Sequence, residues 1–84
     1  MAKPERDVYR EAIDLIDDDI IAAIKYRREL AQALIARRVQ AGKSRVDAER
    51  VAEISARYAK GLAVLPDAAR RSRNFADAVL SVCS

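Results

Sequence analysis

Four arginines, Arg10, Arg27, Arg38 and Arg50, have the type and spacing to do chemistry in this chain. Arg27 and Arg38 lie eleven residues apart. On a helix that is about three turns and ~16 Å of rise, so the two share a face and can converge on one small ligand between them. Arg10 precedes Arg27 by seventeen residues, a rise of ~25 Å, and is out of reach of that ligand within its own chain. A second molecule packed antiparallel along the same face would bring its Arg10 there. A guanidinium presents a planar fork that grips a carboxylate or phosphate in two places. The chemistry indicated is therefore the binding of a small acidic molecule.

The rest of the inventory narrows the reaction class. The chain has no histidine and a single cysteine, Cys83. That excludes His/Cys metal clusters, Ser-His and Cys-His nucleophilic arrangements and an intrachain disulfide. Asp17, Asp18 and Asp19 are adjacent on a helix and point in different directions, so they read as a solvated face and not as metal ligands. No metal and no cofactor is expected. Tyr9, Tyr26 and Tyr58 read as packing residues with a wet hydroxyl, and Cys83 as a small core residue.

These side chains need long helices to place them. Residues from Pro4 to Gln40 form an uninterrupted stretch with Ile13, Ile16, Ile20, Ile24, Ala31 and Leu34 spaced by three, four and seven, the pattern of an apolar helix face. Arg27 and Arg38 fall inside that face and Arg10 at its edge. Such a helix is ~55 Å long, more than a compact chain of 84 residues can cover with a radius of gyration near ~12 Å. Another protein surface is needed to cover it.

Gly42 suits the left-handed position that ends this helix. A second helix is expected from Val46 to Lys60, with Asp47 as its N-cap and Val51, Ile54 and Tyr58 as its stripe. Pro66 and Asp67 introduce a third, Ala68 to Val82, with Asp67 as its cap and Ser72, Phe75, Val79 and Val82 on one side. The expectation is one all-α domain over residues 1–84 with a long, a short and a medium helix. Arg28, Arg37, Arg45 and Arg57 read as surface residues.

The net charge of +3 and pI of 9.4 allow a nucleic-acid partner, with Arg70, Arg71 and Arg73 as its contact. The basic residues are, however, spread over all three helices among thirteen acids, which argues against a recognition helix. No apolar run spans a bilayer and the start MAKPERD carries no signal-peptide core, so a soluble cytoplasmic protein is expected and no membrane partner.

The set Arg10-Glu11-x-Ile13-Asp14-x-Ile16-Asp17-x-x-Ile20, Arg27-Arg28-x-Leu30-Ala31, Arg38 and Asp47-x-x-Arg50 resembles the all-α chorismate mutases, most closely their short actinobacterial intracellular form. The resemblance covers residues 8–60. It implies an intertwined helical homodimer in aromatic amino acid biosynthesis, an isomerase rearranging chorismate to prephenate. Arg27 and the second subunit's Arg10 would each hold one carboxylate, with Arg38 beside the ether oxygen. Asp47 and Arg50 would line the ring end. In that family glutamate usually follows the second-helix arginine and meets the substrate's C4 hydroxyl; here Val51 stands in its place. The same Glu-Arg-Val sequence is similar to isochorismate-pyruvate lyases and 4-amino-4-deoxychorismate mutases on this fold. Polar residues that the family places over the substrate from the C-terminal side are represented by Ser81. The short family members also imply a shikimate-pathway enzyme as an activating partner. The competing expectation is a catalytically idle helical subunit.

Overall fold

The computed structural model describes residue 2 and residues 4–84, and among them there are three helices and no strand. Helix α1 runs Glu5–Gln40, α2 Ala48–Gly61 and α3 Ala68–Val82. Pro4 occupies the N-cap of α1, and Glu5 and Asp7 place negative charge on its first turn, where the helix dipole favours it. Arg37 and Arg38 do the converse at the other end.

The termini of these helices follow from single residues. At the end of α1, Gly42 adopts φ +75°. Its N–H donates to Val39 O and the Lys43 N–H donates to Arg38 O, at 3.0 and 2.8 Å. This pair of bonds satisfies carbonyls that the helix would otherwise leave open, and it requires the left-handed conformation that glycine adopts without penalty. Helix α2 begins at Ala48, two residues later than expected, because Asp47 is the extended residue whose Oδ1 accepts from the Arg50 N–H at 3.2 Å. Asp67 behaves differently from Asp47. It precedes α3 in the left-handed region, φ 53° and ψ 44°, and its side chain makes no cap hydrogen bond. Its carboxylate instead accepts from Arg70 Nε, so the expected side-chain cap of α3 is replaced by an ion pair within its first turn.

Helix α2 packs on α3, and α3 touches α1, whereas the α1 and α2 backbones come nowhere within 8 Å of each other. The α2/α3 contact includes an edge-to-face pair, Tyr58 against Phe75, with centroids 5.6 Å apart. The buried line on α3 is Ser72, Ala76, Val79 and Cys83, at spacings of four, three and four. Of the stripe expected there, Phe75 and Val82 are about half exposed. Small residues take the closest approach because they let helix axes come together; the bulky ones lie at the margin. The buried Ser72 hydroxyl donates to Ala69 O, which removes the cost of an unpaired polar group.

On α1 the half-buried residues are Asp7 in the first turn and Ile24, Arg27, Ala31, Ile35 and Arg38 in the second half. From Val8 to Ala23 every residue is exposed, including Ile16 at 57% and Ile20 at 50%. The chain measures 63 × 27 × 14 Å with a radius of gyration of 17.1 Å, against ~12 Å for a compact chain of this length. Its accessible surface is 7066 Å²; a compact protein of this mass has roughly 5000 Å². No described helix is long and apolar enough to cross a membrane.

Candidate functional site

The gap between α1 and α2, closed at one end by the C-terminus of α3, is a cavity of about 480 Å³. Arg27 and Arg38 reach it from the half-buried face of α1, three turns apart, while Asp47, Arg50 and Val51 reach it from the start of α2. Leu30, Leu34 and Ile54 supply much of its apolar wall. Five of the residues singled out by type and spacing thus share one concavity. Arg10 lies on the exposed first half of α1 and is not among the lining residues, in keeping with its distance along the helix.

Arg38 is half-buried, its side chain 22% exposed. Its Nε donates to Ser44 O at 2.9 Å and its Nη1 lies 3.4 Å from Asp47 Oδ2. The loop between α1 and α2 is thereby folded back onto the last turn of α1. Asp47 uses both oxygens, Oδ1 on the α2 N-terminus and Oδ2 on Arg38. Arg50 pairs outward with Glu53, Nη1 to Oε2 3.0 Å, with both side chains 56% exposed; an exposed pair of this kind holds its partners weakly. Arg27 makes no hydrogen bond or ion pair with the described residues. It is a cation set in an apolar face with its donors unspent, and such a group gains most from an arriving anion.

One residue joins the cavity unread and one expected there lies outside it. Arg45 is exposed, as expected, and also lines the cavity from the α1–α2 loop. Loop residues carry no periodicity, so nothing in the spacing pointed to it. Ser81 is exposed and outside the lining; Ser84, with Leu80 and Cys83, borders the cavity in its place. The buried line of α3 explains this: continuing Ser72, Ala76 and Val79 leads to Cys83, and Ser81 falls on the opposite side.

A second cavity, about 750 Å³, continues from the first and shares Arg27, Arg50 and Ile54 with it. Arg57, Tyr58 and Lys60 add to its wall, and no carboxylate lines it. Among the described residues no cluster of His, Cys, Asp or Glu could hold a metal ion.

No family model, no curated protein and no solved structure matches this chain.

Proposed function

We propose that this protein is a chorismate-type mutase acting without a cofactor as a homodimer. The reading rests on one observation: Arg27, Arg38 and Arg50 line a single apolar-walled cavity whose lining includes one acidic side chain, that of Asp47. Such a site suits a small dianion with a hydrophobic ring. The resemblance of residues 8–60 to the all-α chorismate mutases supplies the substrate class.

The chemistry is compatible with these side chains. In a [3,3] rearrangement one C–O bond breaks as one C–C bond forms, within a single molecule. No nucleophile or proton carrier is needed. What accelerates it is confinement of the flexible substrate in a chair, with the enolpyruvyl group over the ring. A fixed cation near the ether oxygen stabilises the charge that grows as the C–O bond stretches. Arg27 and the Arg10 of a second copy would anchor the two carboxylates. Arg38, already oriented by Ser44 and Asp47, is suited to the ether oxygen. The uncovered first half of α1 supports the dimer, because the roughly 2000 Å² of surface in excess of a compact chain suffices for an obligate interface when two copies contribute it.

Val51 favours a second reading. Its apolar side chain lines the cavity and offers no hydrogen bond to a C4 hydroxyl. This makes 4-amino-4-deoxychorismate, or isochorismate with elimination of pyruvate, the alternative substrate on the same site.

The test is to give the purified protein chorismate, isochorismate and 4-amino-4-deoxychorismate separately and identify the products by mass. Conversion of chorismate to prephenate is expected. Arg27→Ala and Arg38→Ala should each lower turnover by about 10²-fold or more, the usual cost of removing a charged donor from a developing anion. Wild-type activity in both variants, or no product from any of the three compounds, would sink the proposal.

A further inference from the structure

We propose that the second cavity, lined by Arg57 and Lys60, is an anion site for the phosphoryl group of a small molecule, and that filling it draws Arg27 and Arg50 away from the first cavity. The inference goes beyond the function proposed above: the site requires neither the dimer nor the rearrangement, and its ligand is not the substrate.

One face of α2 builds most of the site. Arg50, Ile54 and Arg57 follow at spacings of four and three, so they share that face, and Lys60 lies at its edge three residues on. The rise from Arg50 to Lys60 is ~15 Å. Arg27 reaches the same cavity from α1. Four of the eight lining residues are cations and none is an acid. Glu53, the acid of α2 among them in sequence, pairs with Arg50 and stays outside the lining. That pair is exposed on both sides, so a competing anion displaces it at little cost. Arg27, Arg57 and Lys60 have no ion-pair partner among the described residues. Arg57 and Lys60 are exposed, which leaves the site open to an arriving ligand. Lys60 in the last turn also suits the negative end of the α2 dipole, but that role does not call for Arg27 across the gap.

The charge balance selects the ligand. Cations gathered round one recess repel one another, and a doubly charged anion relieves more of that repulsion than a single carboxylate does. A phosphoryl group carries about −1.5 to −2 at neutral pH and presents three acceptor oxygens. Guanidinium forks meet such oxygens two at a time. The cavity, about 750 Å³, falls within the ~300–1,000 Å³ usual for small-molecule sites, so an organic body fits beside the phosphate. Ile54, Leu62 and the Tyr58 ring, the last packed edge-to-face on Phe75, are placed to meet it. A nucleic-acid backbone suits the site less well, because its charges are spread along a strand whereas these cations surround one recess. Arg27 and Arg50 also line the first cavity. A guanidinium turned toward a phosphate is lost to a ligand next to it, so occupants of the two cavities compete.

Calorimetry in phosphate-free buffer at low salt tests this, with phenyl phosphate, inorganic phosphate and benzoate as probes. Phenyl phosphate should bind, and benzoate, with its single charge, about tenfold more weakly or worse. Tighter binding of phenyl phosphate than of inorganic phosphate assigns an ester as ligand; equal binding assigns the free ion. Arg57→Ala/Lys60→Ala should lower the affinity for phenyl phosphate at least about tenfold. Arg71→Ala/Arg73→Ala, which removes the same charge from exposed positions on α3, should leave it near wild type. Circular dichroism and sedimentation check that each double keeps its helicity and its association state. In the chorismate assay phenyl phosphate should inhibit the wild type. Arg57→Ala/Lys60→Ala should relieve that inhibition with the uninhibited rate unchanged, since neither residue is assigned to the reaction. The inference falls if neither phosphoryl probe binds, if benzoate binds as tightly as phenyl phosphate, or if both doubles lose binding alike. It falls also if Arg57→Ala/Lys60→Ala alters association and leaves phenyl phosphate binding intact, which makes the cavity an interface. Loss of single-stranded oligonucleotide binding in that double, with phenyl phosphate binding intact, would assign a strand and overturn it. Binding without inhibition overturns the competition between cavities. A protein that turns over no chorismate still reports the site by calorimetry, so failure of the function and failure of the site are told apart.

Discussion

Asp47 performs two tasks that substitution can separate. One oxygen accepts from the Arg50 N–H and starts α2; the other pairs with Arg38. Asparagine caps a helix nearly as well as aspartate, but carries no charge to hold a guanidinium. Asp47→Asn should keep the urea midpoint close to wild type. Asp47→Ala should lose about 1 kcal/mol of stability, the usual value of an N-cap. If catalysis needs Arg38 oriented from this side, both variants will lower turnover to a similar extent, so stability and rate will respond to different atoms of one carboxylate. Equal stability in Asp47→Ala and Asp47→Asn would mean that the cap contributes nothing. At this scale the sequence was most legible where a residue type has one physical reading. Arg27 and Arg38 inside one apolar stripe were expected to share a face, and both line one cavity. Arg45 escaped notice because charge on a loop looks the same whether it faces a cavity or bulk water.

Among the elements, the link from α1 to α2 depends on backbone geometry more than on contacts. Gly42 sits at φ +75°, and a Cβ added there would meet nothing within 4 Å. Gly42→Ala therefore isolates the conformational cost of the left-handed region, about 1 kcal/mol. A denaturant midpoint lowered by that amount, with native helicity retained, is expected; an unchanged midpoint would show that the turn can be made another way. The ends of helices were readable for a related reason: Gly42 permits a conformation other residues avoid, Asp47 caps, and Pro66 fixes its own φ. The packed face of α3 was less so. A stripe drawn through its bulkiest residues selects Phe75 and Val82, yet close helix approach selects Ser72 and Ala76. That choice is made by the neighbouring helix, and no property of α3 alone announces it. The shift from Ser81 to Ser84 at the cavity has the same origin.

For the molecule as a whole, the decisive quantity is uncovered apolar surface. A single chain leaves Ile13, Ile16 and Ile20 about half exposed or more, so a charge placed there would cost little if chains remained separate. In a dimer closed along α1 the same charge would be buried without a partner, at several kcal/mol. Ile20→Asp should therefore shift the sedimenting species from dimer to monomer and reduce helicity, while a silent Ile20→Asp would place the interface elsewhere. Length and periodicity made the need for an external surface legible in the sequence, since a helix of 36 residues outruns the domain it belongs to.

The sparse attachment of α1 also bears on how the chain reaches its final form. With no α2 backbone near it and only α3 touching it, the first half of α1 gains almost nothing from its own chain on folding. In the proposed dimer, acquisition of structure there becomes a second-order event, tied to the encounter of two polypeptides. At the low copy numbers of early synthesis, newly made chains would wait with an open oily flank, the state in which proteases and chaperones compete for them. Expression level, and not intrinsic helix strength, would then decide how much working protein a cell holds.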